Sequence, residues 1–366
     1  MEKSTGKIGI MEYIAIILLT IGTKLADDLP TILVDSLYNA AWMTPIISGA
    51  IAVVPIYLLI KTMMYYDDKG LLEIIVHLFG RYIGFVVIFA LWIIASSAII
   101  IDTAIYTEII GTMYFTRTPT IVIFIILMGV SAYGAKKGLE QIGSVAKALL
   151  PCIKISLFLA LILTIILGDF NYIFPFFGPG GWEVIKESTL RLSIYGDILY
   201  LCLLVPYIRN TNDFKKGTWI ALGVLILELS IAIFAYIILF DFESVRMLNY
   251  PFHEVIRYVN FGFMENIEMF FFPFWLIAAF VRFAVYLYLN GILFGRLFRI
   301  IEFEHIIPSL ATLFLLLGML LVNQNIALTQ TRDYLLVIVS PVFFLLPCIL
   351  WSAAKLKGDY KDDKKK

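Results

Sequence analysis

Charge is what this chain has least of. Only 15% of its 366 residues are charged, against 61% hydrophobic. Basic and acidic side chains number 28 each, so the formal net charge is zero and nothing points to a nucleic-acid partner. Cysteine is as sparse: Cys152, Cys202 and Cys348 each stand alone in apolar runs, which excludes a disulfide framework and any cysteine-based metal motif. The three histidines, His77, His253 and His305, fall far apart near segment ends. There is no nucleotide-binding loop, nucleophile elbow or zinc-protease motif, so neither an enzyme nor a cofactor or metal is expected. Polar stretches long enough for a soluble domain are missing too. What is present is apolar sequence at a mean hydropathy of +0.92, the composition of a polytopic helical protein of the lipid bilayer. No small-residue cleavage site follows the first apolar run, which therefore reads as a retained span.

Ten apolar segments emerge. The first five are Ile8–Leu37, Met43–Met64, Tyr82–Tyr114, Pro119–Tyr133 and Gly138–Leu167. The second five are Thr189–Ile208, Gly217–Phe240, Phe263–Asn290, Ile306–Val322 and Tyr334–Ala354. Short surface helices are expected over Lys69–Phe79 and Pro251–Val259. With both termini cytoplasmic, the inner segments carry 19 lysines and arginines and the outer ones 6. Without the basic cytoplasmic tail, 355–366, the counts are still 13 and 6, so the positive-inside bias holds.

The first segment is too long for one straight span: as a single helix, its 30 residues would measure about 45 Å across a core of about 30 Å. Its middle, Ile21-Gly22-Thr23-Lys24-Leu25-Ala26-Asp27-Asp28-Leu29-Pro30, holds a poor helix former, three ionisable groups and a proline. Either a short helix ends near Thr20 and a loop follows, or the span is discontinuous; the second is expected, because unwound backbone can line a buried cavity. Tyr195-Gly196-Asp197 repeats the design in the sixth segment. Two matched breaks divide the chain into five plus five, 8–168 and 187–354. Five is odd, so the second set inserts upside down. The fold class expected is therefore all-α, ten transmembrane helices as a 5+5 inverted repeat with broken helices 1 and 6.

Intramembrane charges are costly, at about 2.5–3.5 kcal/mol each at a helix centre on insertion scales. Glu12, Glu108 and Glu228 are expected to be structural and wetted near an interface. Asp102 can pair with Arg282 across the bundle, and Lys24, Asp27 and Asp28 can neutralise one another locally. Lys154 lies two turns beyond Lys147 with no acidic neighbour on its own helix, so its partner must be another helix, water, or carbonyls freed at a break. A small ligand is expected at the breaks, lined by Gly22, Thr23, Tyr195, Gly196 and Asp197 and faced by Ser97, Ile101, Phe283 and Tyr286. There freed amides would take a carboxylate, while Asp197 or freed carbonyls would take an amino group.

Taken together, the chain from Ile8 to Ala354 resembles the spore-germination permease family, the B subunits of nutrient germinant receptors in endospore-forming bacteria. The resemblance rests on Ile21-Gly22-Thr23…Leu29-Pro30, on Pro175…Gly178, on Asn249-Tyr250-Pro251-Phe252-His253-Glu254-Val255-Ile256-Arg257, and on Pro273-Phe274-Trp275-Leu276 with Ala279-Phe280. Lys24, Asp27 and Asp28 depart from the more apolar interior usual at that point. Membership implies the LeuT-like fold of the amino acid–polyamine–organocation superfamily. It also implies a receptor or permease for a small nutrient, often an amino acid, in the spore inner membrane, with an A subunit and a C-subunit lipoprotein as partners. An ordinary proton-coupled amino-acid transporter is the alternative. The superfamily further implies that span five passes the inner half of span one, where some proton-coupled relatives put a lysine in place of sodium; Lys154 is the proton or cation-site residue so implied.

Overall fold

The computed structural model describes residues 7–66, 69–258, 268–323 and 328–357. The start of the expected eighth span at Phe263, the end of the outer loop, and the tail beyond Lys357 lie outside the described residues. Among the described residues the chain is helical, with a single parallel bridge between Ile8 and Ile208.

Span one breaks where expected. Helix Ile10–Gly22 tightens into a 3-10 turn, Thr23–Ala26; Asp27 is extended, and a second helix runs Leu29–Leu37. Pro30 does no harm in a first turn, where its missing N–H has no helical acceptor to lose. The Leu29 amide donates to the Asp27 carboxylate at 3.0 Å, which satisfies one of the free amides at the start of the new helix. Span six is a 3-10 turn Leu192–Tyr195, a short helix Asp197–Leu201 and a second 3-10 stretch Cys202–Tyr207. It starts later than the expected Thr189. Residues Gly181–Leu190 form a separate surface helix, bent 46° from it, whose Lys186 bonds Glu183 at 2.7 Å on the exposed side.

Six helices among the described residues are long and apolar enough to cross a membrane alone. To these are added the two broken spans and two helices of 17 residues, Thr120–Lys136 and Ile307–Asn323. The helix Leu71–Ile109 is interrupted at Gly80, whose φ of 76° suits glycine alone without strain, so residues 71–79 form the expected surface arm. The two short helices are spans four and nine, partners under the repeat. Spans five and ten, Leu139–Leu167 and Leu328–Leu356, are both 29 residues long. Packing follows the same exchange. Spans one and seven touch, as do six and two; one and five, as do six and ten; three and ten, as do eight and five; four and eight, as do nine and three. Each contact maps onto another when the halves are swapped, which is the behaviour of an inverted repeat.

Burial sorts the spans by role. Every side chain from Tyr13 to Ile21 in the first half of span one is buried. Spans five, nine and ten instead present Ile155, Ile162, Leu316, Leu320, Ile338 and Ile349 outward, as a lipid-facing belt requires. The orientation has a direct test. In protein whose native cysteines are replaced, single cysteines within residues 241–262 should react with an impermeant thiol reagent from outside. A cysteine at Lys215 or Lys355 should not react, and the reverse pattern would invert the topology.

Candidate functional site

The centre of the bundle is held by two arginines that reach three carboxylates. Arg282 of span eight is completely buried. Its Nη2 meets Asp102 of span three at 2.5 Å; its Nη1 donates to Tyr106 Oη at 2.8 Å and Thr23 Oγ1 at 3.0 Å, with Asp27 at 3.3 Å. The guanidinium also lies over the rings of Tyr106 and Tyr286, 5.2 and 5.4 Å from their centroids. Arg332, at the outer end of span ten, binds Asp28 at 2.5 Å and Asp27 at 2.7 Å. The pairing of Asp102 with Arg282 is as expected. Local neutralisation of Lys24 by Asp27 and Asp28 is not what forms: the unwound turn points these side chains in different directions, and each finds a partner on another span.

Lys24 crosses to the other break. Its Nζ donates to the Ile194 carbonyl at 2.9 Å and forms an ion pair with Asp197. Tyr286 donates to the second oxygen of Asp197 at 2.9 Å. The structure therefore brings together Thr23, Asp197, Phe283 and Tyr286, with Phe283 edge-on to Tyr106 at 5.1 Å. Tyr195 turns away, its hydroxyl donating to the Pro45 carbonyl of span two at 2.8 Å. Gly196 lies tight against its own turn, where an added Cβ would meet the Ser193 carbonyl at 3.0 Å. Ile101 is buried and Ser97 half-buried. The hydroxyl that reaches span eight is that of Ser96, which donates to Asn290 at 3.0 Å.

Lys154 pairs with Glu228 of span seven at 2.5 Å. Its partner is thus on another helix, and Glu228 is 3% exposed rather than wetted at an interface. The pair packs against Gly22, where a Cβ would lie 3.1 Å from Glu228 Oε1 and 3.2 Å from Lys154 Nζ. A void of about 40 Å³ adjoins it, lined by Gly22, Thr23, Lys154, Ser156 and Trp275 among others. So the ammonium does sit beside the break of span one, held there by a carboxylate.

The two faces of the protein differ. On the face with the basic loops a vestibule of about 1740 Å³ opens, lined by Lys7, Lys69, Arg81, Arg209, Arg296 and Arg299, and deeper by Ile88, Leu203 and Ile292. On the opposite face, side chains of the described residues tie neighbouring elements together. Arg191 holds Asp333 at 2.8 Å and Ser36 at 2.8 Å, Arg246 holds Asp35 at 3.1 Å, and Tyr114 bonds His253 Nδ1 at 2.7 Å. Burial pushes the His253 imidazole in the outer helix Pro251–Tyr258 down to about 3, so it remains neutral there.

The sequence model described as "Spore germination protein" matches residues 9–327, most of the chain. The chain belongs to the spore germination protein family. It is similar to spore germination protein B2 of Bacillus subtilis, at 21% identity over 74% of each chain. It is similar also to protein KB of the same organism, at 25% over 53% of each, and to protein XB of Bacillus anthracis, at 22% over 70% of this chain and 72% of that one. In fold it is similar to the crystal structure of MhsT in complex with L-phenylalanine, with a TM-score of 0.71 at 14% identity, over 94% of this chain and 88% of that one. This spore germination protein thus has a LeuT-like transporter fold.

The buried pairing of two charged groups escapes a reading of the sequence. Arg332 counts there only as an outer charge at a span end, yet it closes the network on Asp27 and Asp28. Glu228 sits three turns inside its span, and that depth is the signal that it needs a buried cation.

Proposed function

We propose that this protein is the integral-membrane B subunit of a nutrient-germinant receptor in the spore inner membrane, binding a small nutrient, an amino acid, at the breaks of spans one and six. One observation carries the reading: the two breaks face each other and are bridged by groups of opposite charge, Lys24 and Asp197, with Tyr286 beside them. Charged, hydrogen-bonding groups at the midplane of a transporter fold are costly unless something polar uses them. Family membership supports an A subunit and a C-subunit lipoprotein as partners. The protein signals by changing shape when its ligand binds. The experiment is the germination response of a deletion strain across single nutrients, set beside uptake of the radiolabelled nutrient into vesicles. A lost response without uptake supports a receptor. Uptake with an intact germination response supports the second reading, a proton-coupled amino-acid transporter, which the buried Lys154–Glu228 pair and the inward vestibule favour.

Valine at either break glycine tests the site. Gly22→Val drives its methyls into the Lys154–Glu228 pair, and Gly196→Val crowds the Ser193 carbonyl. Both variants should lose the nutrient response while the protein still accumulates in the membrane. An unchanged dose–response in both would place the site elsewhere.

A further inference from the structure

The ion pair that joins the breaks stands where the proposed ligand would bind. Lys24 gives its ammonium to the Ile194 carbonyl and the Asp197 carboxylate, the groups that suit a ligand's amino group. Both ends are screened from water: the Lys24 side chain is 6% exposed and that of Asp197 15%. Asp197 is fixed, because Tyr286 holds its other oxygen at 2.9 Å. Lys24 carries its ammonium on a flexible four-carbon stem within a 3-10 turn and is the member free to move.

We propose that the Lys24–Asp197 pair is a latch opened by a zwitterion, the ligand ammonium taking Asp197 and the ligand carboxylate taking Lys24. The inference rests on the breaks being the ligand site and names the class of ligand they accept. Charge conservation selects that class. A neutral molecule entering between the two breaks the pair and returns nothing to either end. A cation satisfies Asp197 and strands Lys24; an anion does the reverse. A free amino acid pairs both ends and leaves the net charge of the site unchanged. Its length requires Lys24 to retreat by roughly 6 Å, two hydrogen bonds and the ligand backbone replacing one contact, which a lysine stem can do. Because Lys24 lies on span one and Asp197 on span six, the exchange replaces a direct bond between the breaks with one through the ligand. That separation is the shape change the site can report.

The test uses the full chain in lipid nanodiscs and reads its melting temperature. The probes are the common amino acids, then the methyl ester and the N-acetyl derivative of whichever stabilises the protein. The parent should bind the free amino acid on the order of a hundredfold more tightly than either blocked form, since each blocked form strands one buried charge. Lys24→Met should move the preference to the ester, and Asp197→Asn to the N-acetyl form. If the parent binds a blocked form as tightly as the free amino acid, the latch is wrong whatever the variants do. If only an uncharged nutrient such as a sugar or nucleoside stabilises the protein, the zwitterion is wrong while a ligand site stands. If no nutrient does so, both fall.

Discussion

Arg282→Met should be the most damaging single change in the protein, with little folded material recovered. The guanidinium is wholly buried and satisfies Asp102, Thr23 and Tyr106 while sharing Asp27 with Arg332. Its loss leaves buried Asp102 with only the long 3.9 Å contact to Arg332, and removing one partner of a buried pair typically costs about 3–5 kcal/mol. Arg282→Lys should recover only part of this, because one ammonium cannot reproduce a fork that reaches Asp102 through one nitrogen and Tyr106 and Thr23 through the other. Arg282→Met combined with Asp102→Leu should recover more than lysine does, since the stranded charge goes with its partner. Membrane abundance and melting temperature in detergent measure all three. A single variant that melts within about two degrees of the parent would show that the arginine contributes nothing to the fold.

The second large effect is expected at Lys154. Lys154→Ala leaves Glu228 buried without a cation beside Gly22, and should abolish the nutrient response and lower abundance severalfold. Lys154→Met with Glu228→Leu removes both charges and should restore abundance. The response should stay lost if the pair carries the proton that couples ligand to movement. If the ammonium takes the place of a coupling cation, as the family resemblance implies, replacing sodium with choline should leave the parent's response unchanged. A strict sodium requirement, or a normal response from Lys154→Ala, would refute this role.

The breaks, the ten spans and the surface arm over residues 71–79 are all legible in the sequence, because each follows from local chemistry. Gly22 and Pro30 both disfavour one helix running unbroken through them, and hydropathy measures length along one segment. The pairings are not legible in that way. Depth along a helix says that Lys154 needs a partner, but rotation about that helix and the angle of its neighbours decide that Glu228 is the one. The same holds for Lys24, whose nearest carboxylates in sequence, Asp27 and Asp28, turn to Arg282 and Arg332 once the backbone unwinds. Ser96 and Ser97 differ only by about 100° around span three, yet only the first donates to Asn290. The surface helix Gly181–Leu190 escapes a hydropathy window because it is short and polar on one side.

The bridge between Ile8 and Ile208 bears on how the protein can move. Ile8 donates its amide to the Tyr207 carbonyl at 2.9 Å, and Arg209 returns an amide to the Ile8 carbonyl at 3.1 Å, so the feet of the two broken helices on the basic face are stitched backbone to backbone. Feet joined in this way travel as one lever, and whatever parts the breaks must pivot above that stitch. Hydrogen exchange reads it directly: the amides of Ile8 and Arg209 should share one protection factor, unmoved by nutrient, while amides at the breaks change theirs.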